Sequence, residues 1–378
     1  MSGNADEVGR IPRLVLMTTD AVGGVWQYSL HLAAALSQRG SEILLVTFGP
    51  KPSDEQREQA RAIPGVYLVE TDFALEWMPN PWEDVDRAGA WLLSLQKSFA
   101  ADLIHLNGYA HGALPCDAPK IVVAHSCVYS WWRSVRGDAP GAEWEEYKLR
   151  VTRGLQGCDA VIAPSAYMAS VMTAEYGIEP GKIKVIYNSS PCERSGRVLK
   201  QPFAIAAGRL WDPAKNLTLL HAIAPALDWK LYLAGSTAGA EVSNEDKHVV
   251  RYLGAVPHEE LLDHLQAASL FVHPALYEPF GLAVLEAASA GCCLMLADIP
   301  SLRELWSGAA VFVNPREPEQ WIFEGNNLIR DFELRESLAQ AALRRAKRYQ
   351  PNHMLKSYLA VYGALRQCGR KRRSGVAA

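Results

Sequence analysis

The chain is expected to be an α/β protein of two doubly wound, Rossmann-like domains facing a central cleft. Three observations carry that expectation. Short apolar strands alternate with amphipathic helices almost throughout. The alternation breaks once, over residues 188–201, and then restarts. The length of 378 residues allows two to three domains at roughly 150 residues each.

Residues 14–19 read as a buried strand, 20–24 as the loop after it, and 25–37 as a helix closed by Gly40. Glu42–Phe48 is the second strand and completes a βαβ unit. Further strands are expected at 103–107, 121–126, 160–163 and 184–187, with Ser165 as N-cap of the helix after the third. The polar stretch 188–201, beginning Asn188-Ser189-Ser190-Pro191, reads as a linker. The second array predicts strand 203–208, helix 216–227, strands 230–235 and 249–253, helix 258–267 and strand 269–273. Helix 279–290, strands 293–297 and 310–314, and helices 317–330 and 331–348 follow. A last helix over 351–367 leads into the basic run Arg370-Lys371-Arg372-Arg373. In sheets of this kind ligands lie at the carboxyl ends of the strands.

Composition narrows the function classes. Apolar residues make up 49% and charged residues 21%, which excludes a disordered, collagenous or disulfide-scaffold chain. The net charge of −3 argues against a nucleic-acid binder, which needs basic excess. The charge is uneven: 17 Lys and Arg against 23 Asp and Glu over residues 1–195, and 21 against 18 over 196–378. The positive half is the better host for an anionic ligand. Seven cysteines, an odd number without a CxxC, fit reduced buried thiols. The polar N-terminus is unlike a signal peptide, and no apolar run reaches about 18 residues, the span of a membrane helix. A cytoplasmic location is expected.

Four stretches carry chemistry. Tyr277-Glu278-Pro279-Phe280-Gly281-Leu282-Ala283-Val284-Leu285-Glu286-Ala287 follows the strand at 269–273. Pro279 suits the first helical position, which puts Glu278 at the N-cap and the free amides of Phe280 and Gly281 in the first turn. Those amides and the helix dipole make an anion site. On a helix, Glu278 and Glu286 stand about 12 Å apart, too far to act as a paired acid and base on one bond. Glu286 is expected to need a partner within its apolar surroundings. In Gly208-Arg209-Leu210-Trp211-Asp212-Pro213-Ala214-Lys215-Asn216, two cations on a strand-to-helix loop can grip a diphosphate, with Asn216 capping the next helix. Gly23-Gly24 lets the backbone approach a ligand, but the loop is no GxGxxG, which argues against a nicotinamide site. His125 falls at the end of the strand 121–126, and Trp131 and Trp132 after it offer faces for sugar stacking.

Together these residues resemble the GT-B fold glycosyltransferases, specifically the large retaining family 4. The strongest piece is Glu-x7-Glu, met by Glu278 and Glu286 within Glu-Pro-Phe-Gly-Leu. Gly208-Arg209-Leu210 with Lys215, Ala234-Gly235-Ser236, Tyr252-Leu253-Gly254-Ala255-Val256, Ala163-Pro164-Ser165 and the Gly23-Gly24 loop support it. The resemblance implies a hexosyl transfer from a nucleotide-diphosphate sugar (a UDP- or GDP-sugar) to a hydroxyl acceptor, with retained configuration, no bound metal and no other cofactor. It implies domains at 1–195 for the acceptor, 196–350 for the donor, and a segment 351–378 whose helix crosses back to the first domain. Arg209 and Lys215 would neutralise the diphosphate, Glu286 would hold the ribose hydroxyls, and Glu278 would contact the hexose. Backbone at Phe280, Gly281 and Leu282 would fix sugar and phosphate, and Leu253 and Gly254 would follow the nucleobase edge. Gly23 and Gly24 would close over the phosphate, and His125 would touch the sugar near the acceptor. The family commonly has Asn-Gly-Val-Asp where this chain has Asn188-Ser189-Ser190-Pro191. The acidic first half argues for a saccharide or small-molecule acceptor, with at most peripheral membrane contact. A nucleotide-sugar epimerase and a non-catalytic nucleotide-sugar binding protein are the competing functions.

Overall fold

The structure is a computed structural model that describes residues 11–191, 198–236 and 250–375, with side chains as far as residue 367. The first parallel sheet has seven strands: β1 (Leu14–Asp20), β2 (Glu42–Phe48), β3 (Val66–Glu70), β4 (Leu103–Leu106), β5 (Lys120–Val123), β6 (Ala160–Ala163) and β7 (Ile183–Val185). Their order is β3-β2-β1-β4-β5-β6-β7. The second has six: β8 (Gln201–Ala207), β9 (Lys230–Ala234), β10 (Val250–Gly254), β11 (Ala268–His273), β12 (Cys293–Ala297) and β13 (Val311–Val313), in the order β10-β9-β8-β11-β12-β13. Both orders run outward from the first strand, reverse, and run outward again, which is the doubly wound pattern. The order reverses between β1 and β4 in one sheet and between β8 and β11 in the other.

The strands form because helices cover both sheet faces, so their side chains are apolar on both sides. Leu14, Val15, Leu16 and Met17 of β1 and Leu294, Met295 and Leu296 of β12 are all buried. β3 escapes this rule. It lies at the sheet edge, so its Val66-Tyr67-Leu68-Val69 run stays half-exposed. Helices at Asp54–Arg61, Trp82–Phe99, Val128–Arg136 and Glu145–Gly157 fill the stretches between the expected strands. Ser165 caps the helix Ala166–Tyr176 by accepting from the Met168 amide at 3.2 Å.

Two compact units emerge. One takes in the chain to Ser130, Ala139–Asn188 and the chain from Pro351; the other takes in Trp131–Asp138 and Ser189–Gln350. The expected boundary at 195–196 lies outside the described residues, as do Cys192 and the side chains of Cys368 and Arg370–Arg373. The remaining cysteines are free thiols, four of them buried.

The last helix, Pro351–Gly375, packs on the helix Gly24–Ser37 of the first unit. Tyr358 and Tyr362 enter that core. Tyr362 Oη lies 2.7 Å from His105 Nδ1 on β4, His105 Nε2 lies 3.1 Å from Tyr28 Oη, and Tyr28 donates to Tyr358 Oη at 2.5 Å. With Tyr28 donating onward, His105 donates from Nε2 and accepts at Nδ1, so each group in the chain uses one hydrogen. Burial drives the His105 pKa down to about 3 and keeps the ring neutral.

Candidate active site

The second unit builds its site at the carboxyl ends of β8 and β11, where the strand order reverses. The three loops after β8, β9 and β10 are tied backbone to backbone. The Gly208 amide donates to Ala234 O (3.0 Å), Leu210 to Ser236 O (3.1 Å), and Gly235 to Gly254 O (2.8 Å). Gly235 has φ +137, and a Cβ there would lie 1.8 Å from Gly208 O, so only glycine permits the approach.

Arg209 and Lys215 leave this frame on one loop, each beside a carboxylate. Arg209 Nη2 donates to Asp212 Oδ2 at 2.9 Å, while its buried Nε has no hydrogen-bond partner among the described residues. Asp212 Oδ1 accepts from the Ala214 amide at 2.9 Å and from Trp131 Nε1 at 3.3 Å, a contact inside the second unit. Lys215 crosses Gly208 and donates to Glu278 Oε2 at 2.6 Å. The same oxygen lies 3.1 Å from Nε2 of buried His273, the last residue of β11. Burial acts to raise the Glu278 pKa, but the Lys215 ammonium and the His273 hydrogen bond outweigh it and hold the carboxyl well below its usual range. Ser301 Oγ fixes the Glu278 backbone by donating to its carbonyl at 2.5 Å.

The helix expected at 279–290 is Leu282–Ser289. The reason is Gly281, whose φ of +86 is left-handed and cannot continue a helix into Pro279 and Phe280. Gly281 is therefore the N-cap, with no side-chain cap, and Glu278 stands in the loop before it. The first-turn amides open to an anion begin at Leu282 instead of Phe280. Phe280 sends its ring into the core against Tyr349, leaving its backbone on the loop. Glu286 is buried on that helix, and His258 Nε2 approaches its Oε1 at 3.6 Å. Burial lifts the Glu286 pKa to about 8. Leu253 is half-buried at the end of β10, and Gly254 turns the chain with φ +75. Asn216 takes the N-cap position of the helix Leu217–Ile223, as expected, but with φ +56 and no side-chain cap bond; its Nδ2 instead reaches back to Pro274 O (3.1 Å) and Pro315 O (2.8 Å).

The first unit gathers its candidates at the same kind of place. Gly23, with φ +85, is the N-cap of the helix Gly24–Ser37 after β1. β5 stops at Val123, short of the expected 126, because the chain turns there: the His125 amide donates to Val123 O at 3.1 Å. His125 thus lies two residues past the strand, half-buried, with Nε2 2.9 Å from Asn107 Oδ1. Trp131 and Trp132, half-buried and edge to face at 6.1 Å, do not join them: expected within the first domain, they group with the second unit, where Trp131 holds Asp212.

Asp212, His273 and Asn107 were missed as site residues. Each follows or closes a buried strand at a sheet's reversal point, and that position was the available signal. Among the described residues no three His, Cys, Asp or Glu side chains come together as a metal site would need. No helix of the described residues is long and apolar enough to cross a membrane.

Known proteins match along the same lines. The model of Glycosyltransferase Family 4 matches residues 22–194, and that of Glycosyl transferases group 1 matches residues 201–331. A glycogen synthase of Mycobacterium tuberculosis is 27% identical over 322 residues, 75% of this chain and 76% of the relative. A D-inositol 3-phosphate glycosyltransferase of Corynebacterium efficiens is 22% identical over 377 residues, 86% of this chain and 87% of the relative. Among solved structures, a sucrose-phosphate synthase of Thermosynechococcus elongatus superimposes with TM-score 0.74 at 16% identity, over 97% of this chain and 100% of that one. HepE of Anabaena, solved with UDP and glucose, gives TM-score 0.73 at 16% identity, over 93% and 100%. Successive matches to both family models, on two doubly wound units, show that the chain belongs to the family 4, group 1 glycosyltransferases of GT-B fold.

Proposed function

We propose that this glycosyltransferase moves a hexosyl group from a nucleoside-diphosphate sugar to a hydroxyl of a saccharide or small-molecule acceptor, in the cytoplasm, with retention and without metal. One observation carries the proposal: Arg209 and Lys215 share the loop after β8, and Lys215 meets Glu278 beside an uncapped helix N-terminus. Departure of a nucleoside diphosphate spreads negative charge over phosphate oxygens. Fixed cations and amides stabilise that charge without reorganising during the reaction. The Nε of Arg209, buried and without a hydrogen-bond partner among the described residues, is a spare donor for such an anion. The relative solved with UDP and glucose shows that a protein of this fold takes such ligands.

In this scheme Arg209 and Lys215 grip the diphosphate, Glu286 takes the ribose hydroxyls, and Glu278, ionised and aimed by Lys215 and His273, takes a hexose hydroxyl. The backbone of Phe280, Gly281 and Leu282 holds sugar and phosphate, and Leu253 and Gly254 run along the base. Gly23 and Gly24 close over the phosphate, His125 touches the sugar, and Trp131 or Trp132 stacks on the acceptor. The leaving phosphate takes the acceptor proton, so the carboxylates are not asked to act as an acid and base pair.

UDP- and GDP-hexoses with an acceptor panel, in the presence of EDTA, test the proposal. Acceptor-dependent release of nucleoside diphosphate, with the product anomer matching the donor by NMR, is expected. An epimer formed without acceptor would establish the epimerase. Tight donor binding with no diphosphate release on any acceptor would establish a binding protein.

A further inference from the structure

Asn107 is the first residue after β4, at the point where the first sheet reverses. Its Nδ2 donates to Thr18 O at 2.7 Å and to Ser29 Oγ at 3.1 Å, and its backbone amide donates to Thr18 Oγ1 at 3.0 Å. A carbonyl oxygen only accepts, so the amide nitrogen has to face Thr18 and Oδ1 has to face away. Oδ1 lies 2.9 Å from His125 Nε2. An amide oxygen also only accepts, so Nε2 carries the hydrogen. Burial pushes the His125 pKa down to about 3, so the ring is neutral and Nδ1 holds the lone pair. The Tyr28 ring stands edge-on to the imidazole at 4.5 Å and limits its rotation.

We infer that Asn107 is a positioning residue for the transfer reaction: anchored by the Thr18 carbonyl and the Ser29 hydroxyl, it fixes the ring of His125 in one orientation and in the Nε2–H tautomer. The inference rests on the role proposed above for His125. A backbone carbonyl of β1 thereby decides, through one amide side chain, which face of the imidazole is a donor and which an acceptor. Without Asn107 the ring has no acceptor at Nε2 and samples both tautomers, and its preorganisation toward a sugar is lost.

Two measurements test this. Long-range 1H–15N spectra of 15N-histidine-labelled wild type, with His125 identified by its absence from His125→Ala, are expected to show protonated Nε2 and unprotonated Nδ1 from pH 5 to 8. Asn107→Ala is expected to give averaged shifts. A protonated Nδ1 in the wild type, or unchanged shifts in the variant, would overturn the inference. In transfer assays Asn107→Ala should lower kcat/KM by about tenfold or more, yet cost nothing further in the His125→Ala background. Full additivity, or no loss while His125→Ala loses activity, would also overturn it. If His125→Ala itself is inert, the role of His125 falls, and the spectra still decide whether Asn107 sets its tautomer.

Discussion

Lys215 and Glu278 define what one residue contributes to this site. Lys215→Ala should cut turnover by roughly 10²-fold or more while weakening donor affinity much less, since the ammonium acts on charge that grows during departure; steady-state kinetics beside calorimetry separates the two effects. Glu286 sits at the opposite electrostatic extreme. Burial raises its pKa to about 8, so near neutral pH it is mostly protonated, with His258 as the facing titratable group. For an acid whose folded pKa is raised, ionisation opposes the fold, so this residue weakens stability as pH climbs from the ordinary carboxylate range to about 8. A ribose diol donating two hydrogens favours the ionised form. Donor affinity should therefore rise with pH up to about 8. Binding at pH 7 should release close to one proton, measured by calorimetry in buffers of different ionisation enthalpy, and Glu286→Gln should release none. The site's charged residues were legible in the sequence because charges on strand-to-helix loops stand out against apolar strands. His273 and Asn107 were not, since each looks like the polar end of an ordinary strand and acts only through another side chain, Glu278 or His125, that the fold brings to it.

Among the elements, the loops after β8, β9 and β10 matter most, because backbone bonds tie them to one another. Gly235→Ala would drive a Cβ into Gly208 O at 1.8 Å. It should destabilise the protein by more than about 1 kcal/mol and abolish nucleoside-diphosphate binding, as thermal denaturation and titration would show. Strands buried on both faces were readable almost to the residue: β1, β2, β6 and β12 each form continuous apolar runs. The edge strand β3 was not read, although Val66-Tyr67-Leu68-Val69 is an apolar run; its side chains are only half-buried. The start of the helix Leu282–Ser289 was misplaced because proline's preference for a first helical turn is a local rule. Here the left-handed Gly281 overrides it.

At the scale of the whole molecule, two sheets with one winding order make two units from one architectural rule. The first unit depends on a helix that comes last in the chain, through Tyr358 and Tyr362. Tyr362→Phe leaves His105 Nδ1 without its donor in the core and should cost about 1–3 kcal/mol, read as a lower midpoint in urea. Donor affinity should change much less than stability, since Arg209, Lys215 and Glu286 belong to the second unit.

That last helix also sets a timetable. The ribosome makes the seven strands of the first sheet early, but the tyrosines that complete their covering helix pair emerge only after the whole second unit has been synthesised. The nascent first unit must therefore wait with His105 lacking Tyr362 and Tyr28 lacking Tyr358, while the second, nearly continuous in sequence, is free to close first. Folding order during translation should run against chain order, and a chaperone guarding the nascent chain would find its client surface on the helix Gly24–Ser37, where the final helix later docks.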